Sequence, residues 1–212
     1  MTAGDDASGG DAEPHRDLAL GGRRLRFVAD KSFFHDAFRT DYPRQPDAVW
    51  LWAYIMARKA VDRHHRILVT STSILTKLQQ EFRDKFPEIP PQVILAIQSL
   101  TERISMPTEA DVSLELVPLY ISKILRDAGT VPVIVSSVKF GKWVEREKRA
   151  GVRWGLEGFQ VGMSDNRALE KLWFIPSNTH QASLVLQSLD PVYKEVVQVI
   201  GRPQSVDGRA HS

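Results

Sequence analysis

The sequence predicts an α/β protein in which a mostly parallel central sheet lies between two layers of helices. Three short apolar runs, Ile67–Thr70, Val131–Ser136 and Leu172–Ile175, are typical of strands buried on both faces. Segments with apolar residues at helical spacing separate these runs and are long enough to cross back over a sheet. These observations together predict a three-layer fold.

Residues 24–104 are predicted to form two strands and four helices. Arg24–Asp30 alternates at its start and then becomes apolar, as a short strand does, and a short helix over Lys31–Arg39 follows it. An aspartate can cap the next helix, Asp47–Arg66, which leads to the second strand. Ser71–Asp84 is amphipathic, and a proline suits the first turn of a further helix over Pro91–Ile104.

The remainder of the chain continues the alternation of helices and strands. A long helix is predicted over Glu109–Ala128, with a kink or break at Pro118. After the strand that ends at residue 136, a basic helix over Lys139–Arg149 and a glycine-punctuated hairpin within Gly151–Gly162 precede the last strand. Leu184–Ile200 is predicted as a C-terminal amphipathic helix that a proline interrupts.

Composition and charge exclude several classes of function. The 212 residues include no cysteine, which excludes disulfide scaffolds, thiolate zinc sites, iron–sulfur clusters and cysteine nucleophiles. Residues 1–16 are acidic, so the rest of the chain is more basic than the formal net charge of +2 indicates. With neither a long apolar run nor a secretory signal pattern, we expect a cytoplasmic protein that does not contact membranes. We expect one domain over residues 23–200 between disordered tails at 1–22 and 201–212.

Polar residues follow the ends of the predicted strands. Asp30 comes directly after the first strand, and Ser136 and Ser137 lie at the end of a later one. Ligands of parallel sheets gather at the carboxyl edge, so these side chains predict a site there. Asp30 has two possible roles, since it can bind a metal or act as a base, or it can cap the helix that follows.

Two acids of the predicted long helix are further candidates for a metal site. Glu109 and Asp111 fall in its first turn, where the helix dipole favours acids in any case. If that helix starts beside Asp30, Asp111 can supply a second carboxylate for a divalent ion. Mg²⁺ commonly takes one or two protein carboxylates and keeps its waters, so two acids are sufficient for weak binding.

A basic segment with an interleaved tryptophan follows Ser137. Lys139, Lys142 and Arg146 flank Trp143, a pattern that suits a phosphate backbone and unstacked bases. The same basic stretch continues to a second tryptophan, Trp154, and the alternative is a solvated helix face with two buried tryptophans.

Trp50, Trp52 and Tyr54 fall near the start of a predicted helix and cannot all face one core. One interpretation is that one of them covers a protein partner or a homodimer surface. The other is that they pack between two layers of one domain.

Several of these segments resemble PIN-domain proteins, over about residues 25–176. Phe27–Phe34 is similar to the opening of that family, in which a strand ends in an acid followed by a short helix. Ile67–Leu78 is similar to the second strand and helix of the family. Asp111 is similar to its third acid, and Val133–Ser137 is similar to its fourth strand. Phe174–Pro176 is similar to its closing strand.

The resemblance implies a Mg²⁺- or Mn²⁺-dependent nuclease that acts mostly on RNA. Asp30 matches the first acid of the family and Asp111 the third, so both would hold the ion and activate water, aided by Glu109 or Asp165. The second acid of the family falls on Lys77 and the fourth on Val138, and neither residue can bind a cation. Glu81 and Asp165 are the acids that could compensate for these departures.

The departures leave two functional predictions open. In the first, the ion-bound water attacks an RNA phosphodiester while Lys139, Lys142 and Arg146 hold the strand. In the second, the site is degenerate, and Lys77 with the serine-lined edge binds RNA, another single-stranded nucleic acid or a protein partner without cleavage. A protein-interaction subunit that uses a surface tryptophan is a third possibility.

Overall fold

The computed structural model describes residues 24–39, 46–61, 66–105, 114–149, 160–162, 171–177 and 181–202. These residues form six strands and eight helices. The strands are β1 Leu25–Ala29, β2 Leu68–Ser71, β3 Glu102–Ile104, β4 Val131–Ser136, β5 Gln160–Gly162 and β6 Lys171–Pro176. The helices are α1 Lys31–Phe38, α2 Pro46–Val61, α3 Thr72–Lys85, α4 Pro91–Leu100, α5 Val117–Asp127, α6 Val138–Arg149, α7 Gln181–Leu189 and α8 Tyr193–Ile200.

The central sheet confirms the predicted α/β fold class. Its strand order is β3-β2-β1-β4-β6-β5, and the described pairings are all parallel. β1 lies between β2 and β4, with Phe27 level with Leu68 on one side and with Val133 on the other. Because helices connect parallel strands, the sheet is covered on both faces, as the buried apolar strands require.

Two hydrophobic clusters lie on opposite faces of the sheet, because successive strand residues point to opposite sides. On one face Phe27, Val133 and Ile175 pack with residues of α1, α2, α3, α4, α7 and α8. On the other face Val28 and Ile134 pack with residues of α5 and α6. The three predicted layers are therefore helices, sheet and helices.

Two predictions for the middle of the chain are wrong. The helix predicted over Pro91–Ile104 ends at Leu100, and the last three residues form β3, which pairs with β2. Glu102 also forms an ion pair with Arg26 of β1, a contact that local sequence patterns do not reveal. The long helix predicted over Glu109–Ala128 is not continuous, because residues 114–116 form a turn and α5 begins at Val117, so Pro118 stands in its first turn, where a proline is tolerated.

The predicted break in the C-terminal helix is confirmed, and Asp190 lies buried at the corner between α7 and α8. Its Oδ2 accepts a hydrogen bond from the Tyr54 hydroxyl at 2.7 Å and forms an ion pair with Arg58 Nε at 3.0 Å. Its Oδ1 accepts a bond from the backbone N–H of Val192 at 3.2 Å. These contacts join α2 to the C-terminal helices.

The tryptophans near the start of α2 contact other parts of the same chain. Trp50 is buried, and its indole N–H donates to the Gly201 carbonyl at 2.8 Å. Trp52 is partly buried and packs against the rings of Phe33, Phe34 and Phe38. Packing within one chain therefore accounts for both rings, and neither contact indicates a partner surface.

Other sequence predictions fall largely outside the described residues. These are the two predicted tails and most of the Gly151–Gly162 hairpin, of which Gln160–Gly162 forms β5 and pairs in parallel with β6. Within the described ranges, no helix combines the length and the apolarity needed to cross a bilayer.

Candidate functional site

The strand order reverses between β1 and β4. From β1 the chain moves outward through β2 to β3, whereas β4 and the two strands that follow it, β5 and β6, lie on the other side of β1. In parallel sheets, ligands bind outside the carboxyl ends of the strands at such a reversal. Asp30 follows β1, Ser136 ends β4, and Ser177 follows β6. We call these residues, with Ser137, the switch-point edge.

The Asp30 carboxylate is fixed by bonds from two elements. Its Oδ1 accepts a hydrogen bond from the backbone N–H of Lys31 at 2.7 Å, so Asp30 caps α1 as one alternative predicted. Its Oδ2 accepts a bond from the Ser136 hydroxyl at 2.6 Å, which joins the ends of β1 and β4. Asp30 is partly exposed while Ser136 is fully buried. The carboxylate is thus preorganised at the point where a ligand is expected.

A second carboxylate at this edge was missed by the sequence analysis. Asp36 of α1 accepts a hydrogen bond from the Ser177 hydroxyl at 2.6 Å, and the Ser177 N–H donates to the Ser136 carbonyl at 2.7 Å. Burial raises the pKa of Asp36 above its ordinary value, and the nearby charge of Asp30 adds to that shift, against the opposing bond from Ser177. Asp36 therefore holds a proton more readily than an exposed aspartate does.

Glu81 of α3 is bound by two residues of α1. Its Oε1 forms an ion pair with Lys31 Nζ at 3.0 Å, and its Oε2 lies 2.8 Å from His35 Nε2. Burial raises the pKa of Glu81, but the hydrogen bonds from Lys31 and His35 outweigh burial, so the pKa lies below its ordinary value. Burial, together with the charges of Lys31 and Arg39, lowers the pKa of His35 against the opposing effect of Glu81. The acid that could compensate for a missing metal ligand is thus already paired with a lysine.

Cationic side chains lie on two helices that begin at the carboxyl edge of the sheet. Lys77 is partly buried on α3, one helical turn closer to the start of that helix, and hence to the sheet edge, than Glu81. α6 begins directly after Ser137 and carries Lys139, Lys142 and Arg146, all exposed. The predicted nucleic-acid-binding cations thus lie on the two helices that follow β2 and β4, and the predicted serines, Ser136 and Ser137, lie between β4 and α6.

The predicted metal site is only partly described. Asp30 is at the expected edge, but Glu109, Asp111 and Asp165 lie outside the described residues, so a cation shared by Asp30 and Asp111 stays a prediction. Among the residues that are described, no group of three or more histidines and acids is arranged to hold a metal ion. A carboxylate oxygen has two lone pairs, so the bonds from Lys31 and Ser136 leave Asp30 able to bind a cation.

Comparisons of this chain with protein-family models, with curated proteins and with solved structures find no match.

Proposed function

We propose that this chain is a PIN-like module that binds the phosphate backbone of RNA, or of another single-stranded nucleic acid, without cleaving it. The proposal rests on one observation. The hydrogen-bonded pair of Asp30 and Ser136 flanks the reversal of strand order, and a basic helix starts directly beside it. Ligands of parallel sheets bind at such a reversal, and a basic helix there favours an anion.

The charges of the described side chains support an anionic ligand. Glu81 is paired with Lys31 and with His35, so it contributes little free negative charge to this edge. Lys139, Lys142 and Arg146 are separated by three and four residues, so they project from one face of α6. Three exposed cations on one face can contact several successive phosphates of a strand, which suits a nucleic-acid backbone better than a single small anion.

Binding to a labelled single-stranded RNA, followed by fluorescence anisotropy, tests the proposal. Three phosphate contacts predict a slope of about −2 for log K against log salt concentration, or about a 20-fold loss between 50 and 200 mM salt. A variant with Lys139, Lys142 and Arg146 all changed to Gln should lose most of the affinity and the salt dependence. The matched control changes three exposed cations elsewhere, namely Arg103, Lys194 and Arg202, to Gln. Equal losses in both variants, or no binding by the wild type, would refute the proposal.

Hydrolysis of the RNA phosphodiester is a second candidate, because Asp30 is fixed at the edge and partly exposed. Asp30 and Asp111, with Glu109 or Asp165, would hold Mg²⁺ or Mn²⁺. The bound ion would supply an activated water. Asparagine also caps helices well, so Asp30→Asn should leave α1 intact. If wild type cleaves RNA in the presence of either ion and Asp30→Asn binds without cleaving, this second function replaces the first. Binding without metal-dependent cleavage by wild type refutes it.

A further inference from the structure

α6 is held against the sheet at a fixed rotation. Phe140 and Val144 are 6% and 4% exposed and belong to the cluster that contains Phe174 of β6. A Cβ at Gly141 would lie 2.6 Å from Phe174 Cε1, so the missing side chain is what lets the helix approach this ring. This packing fixes the faces of α6 on which Lys139, Lys142, Trp143 and Arg146 stand.

Trp143 lies at the border between the buried and the basic faces of this helix. At about 100° per residue, Lys139, Lys142 and Arg146 fall within about 60° of one another, and Trp143 follows about 40° from Lys139 on the side towards the sheet. Trp143 is partly exposed, and its ring lies 5.9 Å from that of Phe140 with the two planes tilted by 42°. One aromatic ring is thus supported by the core and bordered by cations.

We infer that Trp143 is a stacking surface for an unpaired nucleobase, which makes single-stranded nucleic acid the preferred ligand of this edge. The inference rests on the proposed function, because it requires a strand whose phosphates lie along the basic face of α6. Stacking needs the flat face of a base, and a duplex hides those faces between neighbouring base pairs. Aromatic rings beside a basic groove are the usual means of binding single strands with little sequence preference.

Comparing the binding of two strands of equal length separates the contribution of the bases to affinity from that of the phosphates. One strand is oligothymidine and the other is its abasic counterpart, which has the same phosphates and no bases. Wild type should bind oligothymidine about 10-fold more tightly, within the range of about 5- to 150-fold that stacking on one aromatic ring provides. Trp143→Leu should bind both strands with the affinity of the abasic strand, and Trp143→Phe should retain most of the preference.

Each outcome distinguishes this inference from the proposed function. If wild type binds the abasic strand and oligothymidine equally, and both in a salt-dependent manner, the stacking inference is wrong and phosphate binding stands. If neither strand binds, both are wrong. If Trp143→Leu binds both strands more weakly than wild type by the same factor, the ring only supports packing, which also overturns the inference. If Trp143→Leu fails to fold, wild type can be photocrosslinked to a strand that contains 5-bromouracil. The inference requires the crosslink to map to Trp143, and a crosslink elsewhere overturns it.

Discussion

Replacing Ser136 with alanine measures what the bond between the ends of β1 and β4 contributes. The Ser136 hydroxyl is fully buried and donates to Asp30 Oδ2 at 2.6 Å. A hydrogen bond to a charged group stabilises a protein by about 1.5–3 kcal/mol. Asp30 is partly exposed and keeps its bond from Lys31, so water offsets part of the loss. We expect Ser136→Ala to lower the free energy of unfolding by about 1–2 kcal/mol.

Ser122 offers a matched control within the same fold. Its hydroxyl is also fully buried, but it donates at 2.8 Å to a neutral acceptor, the Pro118 carbonyl of its own helix. The net value of a neutral bond is about 1 kcal/mol, and alanine recovers about 0.5 kcal/mol as the better helix former. Ser122→Ala should therefore cost about 0.5 kcal/mol.

Urea unfolding monitored by tryptophan fluorescence compares the two serine variants. The slope of the free energy of unfolding against urea concentration should stay unchanged in both. Repeating Ser136→Ala in an Asp30→Asn background measures how much of the cost depends on the negative charge of Asp30. We expect a coupling free energy of about 1 kcal/mol between the two residues. The reasoning fails if Ser136→Ala costs no more than Ser122→Ala. It also fails if the Ser136→Ala cost is the same whether residue 30 is charged or neutral.

Three further predictions concern buried charge, protonation and packing. Asp190→Asn should cost about 3 kcal/mol in urea unfolding, since its fully buried carboxylate binds a tyrosine and an arginine, whereas exposed Asp84→Asn should change little. Thermal stability should fall as pH drops from 7 to 5.5, because burial lowers the pKa of His35 and the unfolded chain takes up the proton first. His35→Gln should remove that part of the slope. Gly141→Ala should cost about 1–3 kcal/mol, and Phe174→Leu in the same chain should recover part of it.

Each of these predictions can be contradicted by a single measurement. Equal costs at the buried and exposed aspartates would show that the corner between α7 and α8 tolerates loss of its charge. An unchanged pH slope in the histidine variant would assign the acid sensitivity to other groups. A glycine variant as stable as wild type would mean that the phenylalanine ring moves aside without cost.

The central strands were predictable because burial on both faces leaves a local signature. Val131–Ser136 is apolar almost throughout, and it forms β4 with the predicted bounds. β3 was missed because three residues, Glu102–Ile104, are too few to show a period and are predominantly polar. Pairing with β2 and the contact between Glu102 and Arg26 define that strand instead. Both are long-range interactions, which a local pattern does not encode.

The same division holds at the candidate site. The sequence predicts that Asp30 and Ser136 lie at one edge, because both follow or end a strand and the carboxyl ends of parallel strands share an edge. Asp36 and Glu81 were not placed, because their partners Ser177 and Lys31 are 141 and 50 residues away along the chain. Nothing in the local sequence distinguishes Asp36 from an ordinary helix-surface acid. The hydrogen bond from Ser177, which follows β6, holds it at the edge.

The central position of β1 has a consequence for how the chain folds during synthesis. β1 leaves the ribosome before the other described strands, yet Thr70 of β2 bonds to Ala29 from 41 residues further on, and Ser136 reaches Asp30 from 106 residues further on. Until those partners emerge, an apolar strand with two unpaired edges is exposed, and such edges promote aggregation. Contacts between distant parts of a chain also slow folding. The N-terminal half made alone should therefore be insoluble, and nascent chains should need chaperone protection until β4 has been translated.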